Sequence, residues 1–154
     1  MTQAIITNLQ ARLSVCRGVL VDSNVLLDVA TNDPDWGHSS GRALAEVAEH
    51  AALIINPIIY AEVSIGYTTI EALDAALPAT LYQREPLPWE AGFLAGKSFL
   101  RYRRRGGSRT SPLPDFYIGA HAAIGHLALL TRDDVRYRSY FPTVEILAPT
   151  KRGM

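Results

Sequence analysis

Short apolar runs alternate with amphipathic stretches along the chain, and the alternation predicts strands separated by helices. Val19, Leu20 and Val21 form the first run and read as a short buried strand, with Asp22 placed directly at its end. A second strand is expected at ALII, 52–55, closed by Asn56–Pro57, and a third at HLALLT, 126–131. Thr143–Leu147 alternates less cleanly and is read as a fourth.

Between these runs the period changes to that of helices. Residues 39–50 place Leu44, Val47 and Ala48 on one side and Arg42, Glu46 and Glu49 on the other. A helix is expected from near Ile58, carrying Glu62, and Thr68 to Glu71 has capping-box spacing for a further helix towards Leu77. WEAGFLAGKSFLRYRR, 89–104, reads as a longer helix with Trp89, Phe93 and Leu100 in the core, broken by Gly106–Gly107. PLP at 112–114 leads into a helix that begins at Asp115 and carries His121 and His126. Strands separated by helices indicate βαβ units, so the predicted fold is a three-layer α/β sandwich with a mainly parallel sheet.

A length of 154 residues suits one domain with a real core. The expected division is a leader at 1–17, a folded unit at 18–149 and a tail at 150–154. Ile5, Leu9 and Leu13 recur every four residues, which predicts a short helix in the leader. A single cysteine, Cys16, excludes an internal disulfide framework and a thiolate zinc site, and fits a cytoplasmic protein. No apolar run approaches a membrane span and the leader lacks a secretion signal, so no membrane partner is expected.

The acids carry the chemistry. In an open parallel sheet, ligands bind beyond the carboxyl ends of the strands. Asp22 follows the first strand, Glu62 lies in the helix after the second, and Asp133 falls just past the third. Asp115 opens the helix that returns to the start of the third strand, which puts it on the same edge. Each has an ordinary reading when taken alone: a helix cap for Asp22 and Asp115, an exposed helix position for Glu62, a turn for Asp133. Together they form a convergent set that demands a counter-charge. The two lysines, Lys97 and Lys151, do not adjoin these strand ends, so a divalent metal is the economical partner. Such an ion activates water and stabilises the leaving oxygen in phosphodiester hydrolysis. Asn24 is read as a supporting group that bonds a carboxylate or caps the next helix, and Thr131 as one that orients Asp115 or a metal-bound water. Asp28, Asp33 and Asp35 are read as surface and loop acids.

The segments VDSNVLLD, AEVS, LPDFYIGAHA and LLTRDDVRYRSYFP resemble those of the PIN-domain ribonucleases, most closely the VapC-type toxins of bacterial type II toxin–antitoxin pairs. The resemblance spans roughly residues 18–149 and implies a parallel sheet flanked by helices. It places the family's acidic quartet on Asp22, Glu62, Asp115 and Asp133, with Asn24 and Thr131 at positions that are commonly small and polar. It implies Mg2+- or Mn2+-dependent endoribonuclease activity, homodimerisation and inhibition by a cognate antitoxin of the VapB type. The antitoxin is expected to lay an apolar segment in a groove near the acids and to insert an arginine among them. Trp36, Tyr67 and Trp89 are read either as lining that groove or as core.

Net charge is zero, yet six of the fifteen basic residues fall in the acid-free window 91–114: Lys97, Arg101, Arg103, Arg104, Arg105 and Arg109. The arginines of RYRRRGGSRTSP are read as RNA contacts, with Tyr102 available to stack on a base, against the plainer reading of a solvated helix end. The histidines are read as packing or surface groups. GFLAGKS at 92–98 is not a phosphate loop, because Ala91 stands where its first glycine belongs and no strand leads into it. The rival enzyme class, a haloacid-dehalogenase-like phosphatase, needs a second acid where DSN has Asn24. A non-catalytic RNA- or protein-binding module and a housekeeping RNA-processing nuclease are the remaining alternatives.

Overall fold

All four predicted strands form, and two of them pair with the first. The structure, a computed structural model, describes residues 2–109 and 113–151, with the side chains of residues 2–7 outside the described set. In chain order the elements are α1 (Thr2–Leu13), β1 (Val19–Val21), α2 (Ser23–Ala30), α3 (Gly37–Ala48), β2 (Leu53–Ile55), α4 (Pro57–Ser64), α5 (Ile70–Ala76), β3 (Tyr82–Arg84), α6 (Trp89–Arg104), α7 (Pro114–Gly125), β4 (Ala128–Leu130), α8 (Asp134–Tyr140) and β5 (Ile146–Leu147). Five strands form one parallel sheet in the order β3-β2-β1-β4-β5, with Val19 level with Leu53 on one side and Ala128 on the other. β1, β2 and β4 are buried throughout, as strands covered on both faces must be. Helices flank the sheet, giving the three-layer α/β sandwich.

β3 is the strand that the apolar pattern does not announce. Only Tyr82 of its three residues is buried, because an edge strand has one neighbour and little cover. At the other edge, α1 closes the sheet. Arg12 pairs with Glu145 and donates to the Ile146 carbonyl at 2.9 Å, while Leu13 is buried against the core. Leu9 packs there too, so the leader helix is part of the folded body.

Two packing expectations are corrected. On α6 the stripe Trp89, Phe93 and Leu100 faces solvent, at 94%, 72% and 41% exposure, and Ala91, Ala95 and Ser98 go inside. Both stripes have helical period. The small one is buried because α7 packs closely on α6, and small side chains let two helix axes approach. On α3, Leu44 and Val47 are buried as expected, but Ser40 and not Ala48 completes the inner side. The cap of α5 is Thr69, one residue after the capping-box position, accepting from the Ala72 amide at 3.1 Å. Pro112 lies outside the described residues, and α7 begins at Pro114. No helix among the described residues is long and apolar enough to cross a membrane.

Candidate active site

β1 has β2 on one flank and β4 on the other, and the chain leaves towards opposite sides of it. A cleft opens at the carboxyl end of such a strand, and Asp22 stands there. Asp22 is also the N-cap of α2, its Oδ1 accepting from the Ser23 amide at 2.8 Å. Its Oδ2 accepts from the Thr131 hydroxyl at 2.8 Å and the Tyr137 phenol at 3.2 Å. These partners are neutral, and the side chain is only 3% exposed. Burial pushes the carboxyl up to about 6. The Thr131 hydrogen bond opposes that rise, while the nearby charges of Asp115 and Glu62 add to it.

Glu62 reaches the same edge from α4, which is set by an Asn56 cap whose side chain accepts from the Ile59 amide at 2.9 Å. The Ser23 hydroxyl donates to Glu62 at 2.9 Å. The Glu62 carboxyl is raised by burial and by Asp115, with the Ser23 bond opposing. Asp115, in the first turn of α7, accepts a 2.7 Å bond from the Arg136 guanidinium. Asp133 precedes α8, and its backbone amide donates to the Thr131 hydroxyl at 3.0 Å. The structure thus gathers all four acids at one edge.

Asn24 and Thr131 meet there in roles more specific than the sequence reading. Thr131 serves Asp22 and not Asp115, because it directly follows β4, which lies beside β1. Asn24 is not the cap, a role taken by Asp22. Its amide lies 3.5 Å from the Thr131 oxygen and its Oδ1 accepts from the Arg132 amide at 3.3 Å. Ser23, Tyr137 and Arg136 were not singled out by sequence. The helical spacing from Asp133 held a signal, since positions three and four residues on lie over the same side of α8.

Asp28 is not a surface acid. It is 3% exposed and accepts from Ser40 at 2.7 Å and Arg132 Nη2 at 2.9 Å, with Arg132 Nε 2.7 Å from its other oxygen. The Arg132 guanidinium and the Lys151 ammonium both lie over the Trp36 ring, 5.1 and 5.7 Å from its centroid. Trp36 is therefore a cation platform rather than core. Arg132 sits between Thr131 and Asp133, so this pair pins the loop bearing both against α2.

The basic segment is partly committed to structure. Arg101 donates to the Tyr140 carbonyl at 2.8 Å, and Arg105 donates to Ser139 at 3.1 Å while lying over the Tyr140 ring. Arg103 donates to the Arg109 carbonyl, and Arg104 is exposed. Tyr102 packs with Phe99, Phe116 and Tyr140, so it is not a free stacking platform. His121 is buried between Asn56, 3.0 Å away, and Glu85, 3.4 Å away, and its pKa is lowered by burial. His126 closes α7 in a left-handed conformation, φ 54°.

An ion held here would meet oxygen donors only, a set that suits a hard divalent cation. No three of these acids are gathered closely enough to cage one among the described residues. Two carboxylates with retained waters fit the edge as it stands: Asp22, Glu62 and Asp133 have no ion-pair partner among those residues, and Asp22 and Glu62 are linked through Ser23.

A model of the PIN domain family matches residues 19–141. No curated protein matches the chain. Among solved structures, the chain is similar to VapBC2 from Rickettsia felis bound to a DNA fragment from their promoter, with TM-score 0.66 and 16% identity over 86% of this chain and 98% of that one. VapBC-1 from nontypeable Haemophilus influenzae gives TM-score 0.64 and 19% identity over 84% and 96% of the two chains. DNA-bound VapBC from Salmonella typhimurium gives 0.62 and 18% over 85% and 97%. Identities this low speak for the fold, whereas the family match rests on sequence and spans β1 to the end of α8. The chain belongs to the PIN domain family.

Proposed function

We propose that this protein is a metal-dependent endoribonuclease that hydrolyses RNA phosphodiester bonds, and the VapC-type toxin of a toxin–antitoxin pair that inhibits translation in the cytoplasm. The observation that carries the reading is the buried Asp22 carboxylate, with Glu62 and Asp115 facing it at the carboxyl edge of the sheet. Asp22 and Glu62 would hold Mg2+ or Mn2+ together with retained waters, and Asp115 and Asp133 are the further acids that a bound ion would draw in. When bound, such an ion lowers the pKa of a water and neutralises charge on the phosphate. Thr131 and Tyr137 fix the Asp22 carboxylate, and the Ser23 hydroxyl holds Glu62 beside it. Arg104 and its neighbours at the end of α6 would take RNA phosphates.

The groove lined by Leu26, Val29, Val63 and Tyr67 between α2 and α4 suits the apolar antitoxin segment. The exposed stripe Trp89, Phe93 and Leu100 offers a second copy an apolar face for the homodimer. The test is cleavage of a structured RNA pool by antitoxin-free protein with Mg2+ or Mn2+, then with EDTA, beside identically purified Asp22→Asn and Asp115→Asn. Metal-dependent cutting that both variants lose while staying folded is the expected result. Equal cutting by all three would remove these acids from the reaction.

A further inference from the structure

Arg136 stands out because it is the cation that the lysine count does not foresee. It lies three residues after Asp133, in the first turn of α8, and reaches across to Asp115 at 2.7 Å. Among the described residues it makes the only ion pair to any of the four acids. Asp22 is held by hydroxyls and a backbone amide, and Glu62 by a hydroxyl, so those two carboxylates keep their charge uncompensated. Arg136 also lies within the field of Asp133 as well as that of Asp115.

We propose that Arg136 is a resident counter-ion of the acidic edge: its guanidinium holds the Asp115 carboxylate, and a divalent cation that recruits Asp115 must displace it. The inference rests on the metal-dependent reading above and adds a control on ion loading from within the chain. The exposures of the pair fit that role. Arg136 is 44% and Asp115 24% exposed, so the pair is accessible to solvent and weak enough to be exchanged. A guanidinium that moves off Asp115 stays tethered at the mouth of the site by α8. The same side chain that keeps the metal-free edge from repelling itself therefore sets the concentration of ion needed to fill it.

The experiment is calorimetric titration of MnCl2 into metal-free protein, with folding checked by circular dichroism, for the wild type, Arg136→Gln, Arg136→Lys and Asp22→Asn. Arg136→Gln removes the charge from a solvent-facing position and keeps a polar stem. It should bind Mn2+ about 2- to 10-fold more tightly than the wild type, because both competition for Asp115 and repulsion of the ion are gone. Arg136→Lys retains the charge and should stay near the wild-type value. Binding by Arg136→Gln that is equal to or weaker than wild type overturns the counter-ion role while leaving the metal site standing. Absence of Mn2+ binding in every variant, Arg136→Gln included, overturns the metal reading itself and this inference with it. Tight binding confined to Arg136→Gln supports the inference in its strongest form.

Discussion

Asp22→Asn should make the metal-free protein more stable, although it removes the central acid. In the folded chain the Asp22 carboxyl is pushed from 3.8 up to about 6, chiefly by burial. A group whose folded pKa is raised supports the fold below its unfolded value and loses that support as pH rises through the folded one. For Asp22 the loss falls between pH 3.8 and about 6. A shift of roughly 2 units is about 3 kcal/mol, carried as a cost by the wild type at pH 8. Asparagine has the same shape, still accepts from the Ser23 amide, and turns its NH2 towards the Thr131 and Tyr137 oxygens, both able to accept. Thermal melts in EDTA at pH 8 should therefore show the variant raised by about 6–12 °C, as expected for a chain of this length. At pH 4, where the wild-type carboxyl is protonated, the gap should close. Saturating Mn2+ should raise the wild type and leave the variant where it was. A variant melting at or below the wild type in EDTA at pH 8 would refute the claim that Asp22 is ionised against its surroundings.

Further outcomes follow from the same contacts. Asp28→Ala leaves the Arg132 guanidinium and Ser40 hydroxyl without their partner, and should cost about 2–4 kcal/mol in urea denaturation, with Asp133 displaced and cleavage reduced. Gly119→Ala places a methyl 2.3 Å from the ring of the buried Phe141, so unfolding free energy should fall by about 1–3 kcal/mol. Arg104→Ala should weaken single-stranded RNA binding and reduce the slope of log affinity against log salt by about 0.7, with the melting temperature unchanged.

Much of this arrangement is legible in the residues, for identifiable reasons. β1, β2 and β4 are interior strands with unbroken apolar runs, and the four acids fall at offsets from those runs that topology converts into one edge. β3 was hidden because Tyr82, Gln83 and Arg84 carry a single buried side chain. The α6 error has a different origin: Trp89, Phe93 and Leu100 are the larger residues, but the choice of buried stripe was made by α7, which a local period cannot see. Asp28 and Arg132 pair across 104 residues of sequence, so nothing near Asp28 marks it as interior. Arg136 escaped for a related reason. Nearness in sequence to the strand ends does not reveal it, because the guanidinium reaches its carboxylate from a helix turn in a later element.

The strand order has a consequence for when the acidic edge exists. β1 is synthesised early and sits in the middle of the sheet, while the two hydroxyls that donate to Asp22 Oδ2 come 109 and 115 positions later. At ribosomal speeds, on the order of 5–20 seconds separates Asp22 from Thr131 and Tyr137. Throughout that interval Asp22 lacks Thr131 and Tyr137 and β1 lacks one of its two neighbours, and Asp115, once made, still waits for Arg136. A nascent chain therefore cannot display the acidic edge in the arrangement described above. The contacts described for Asp22 and Asp115 are complete only when β4 and α8 dock, late in synthesis.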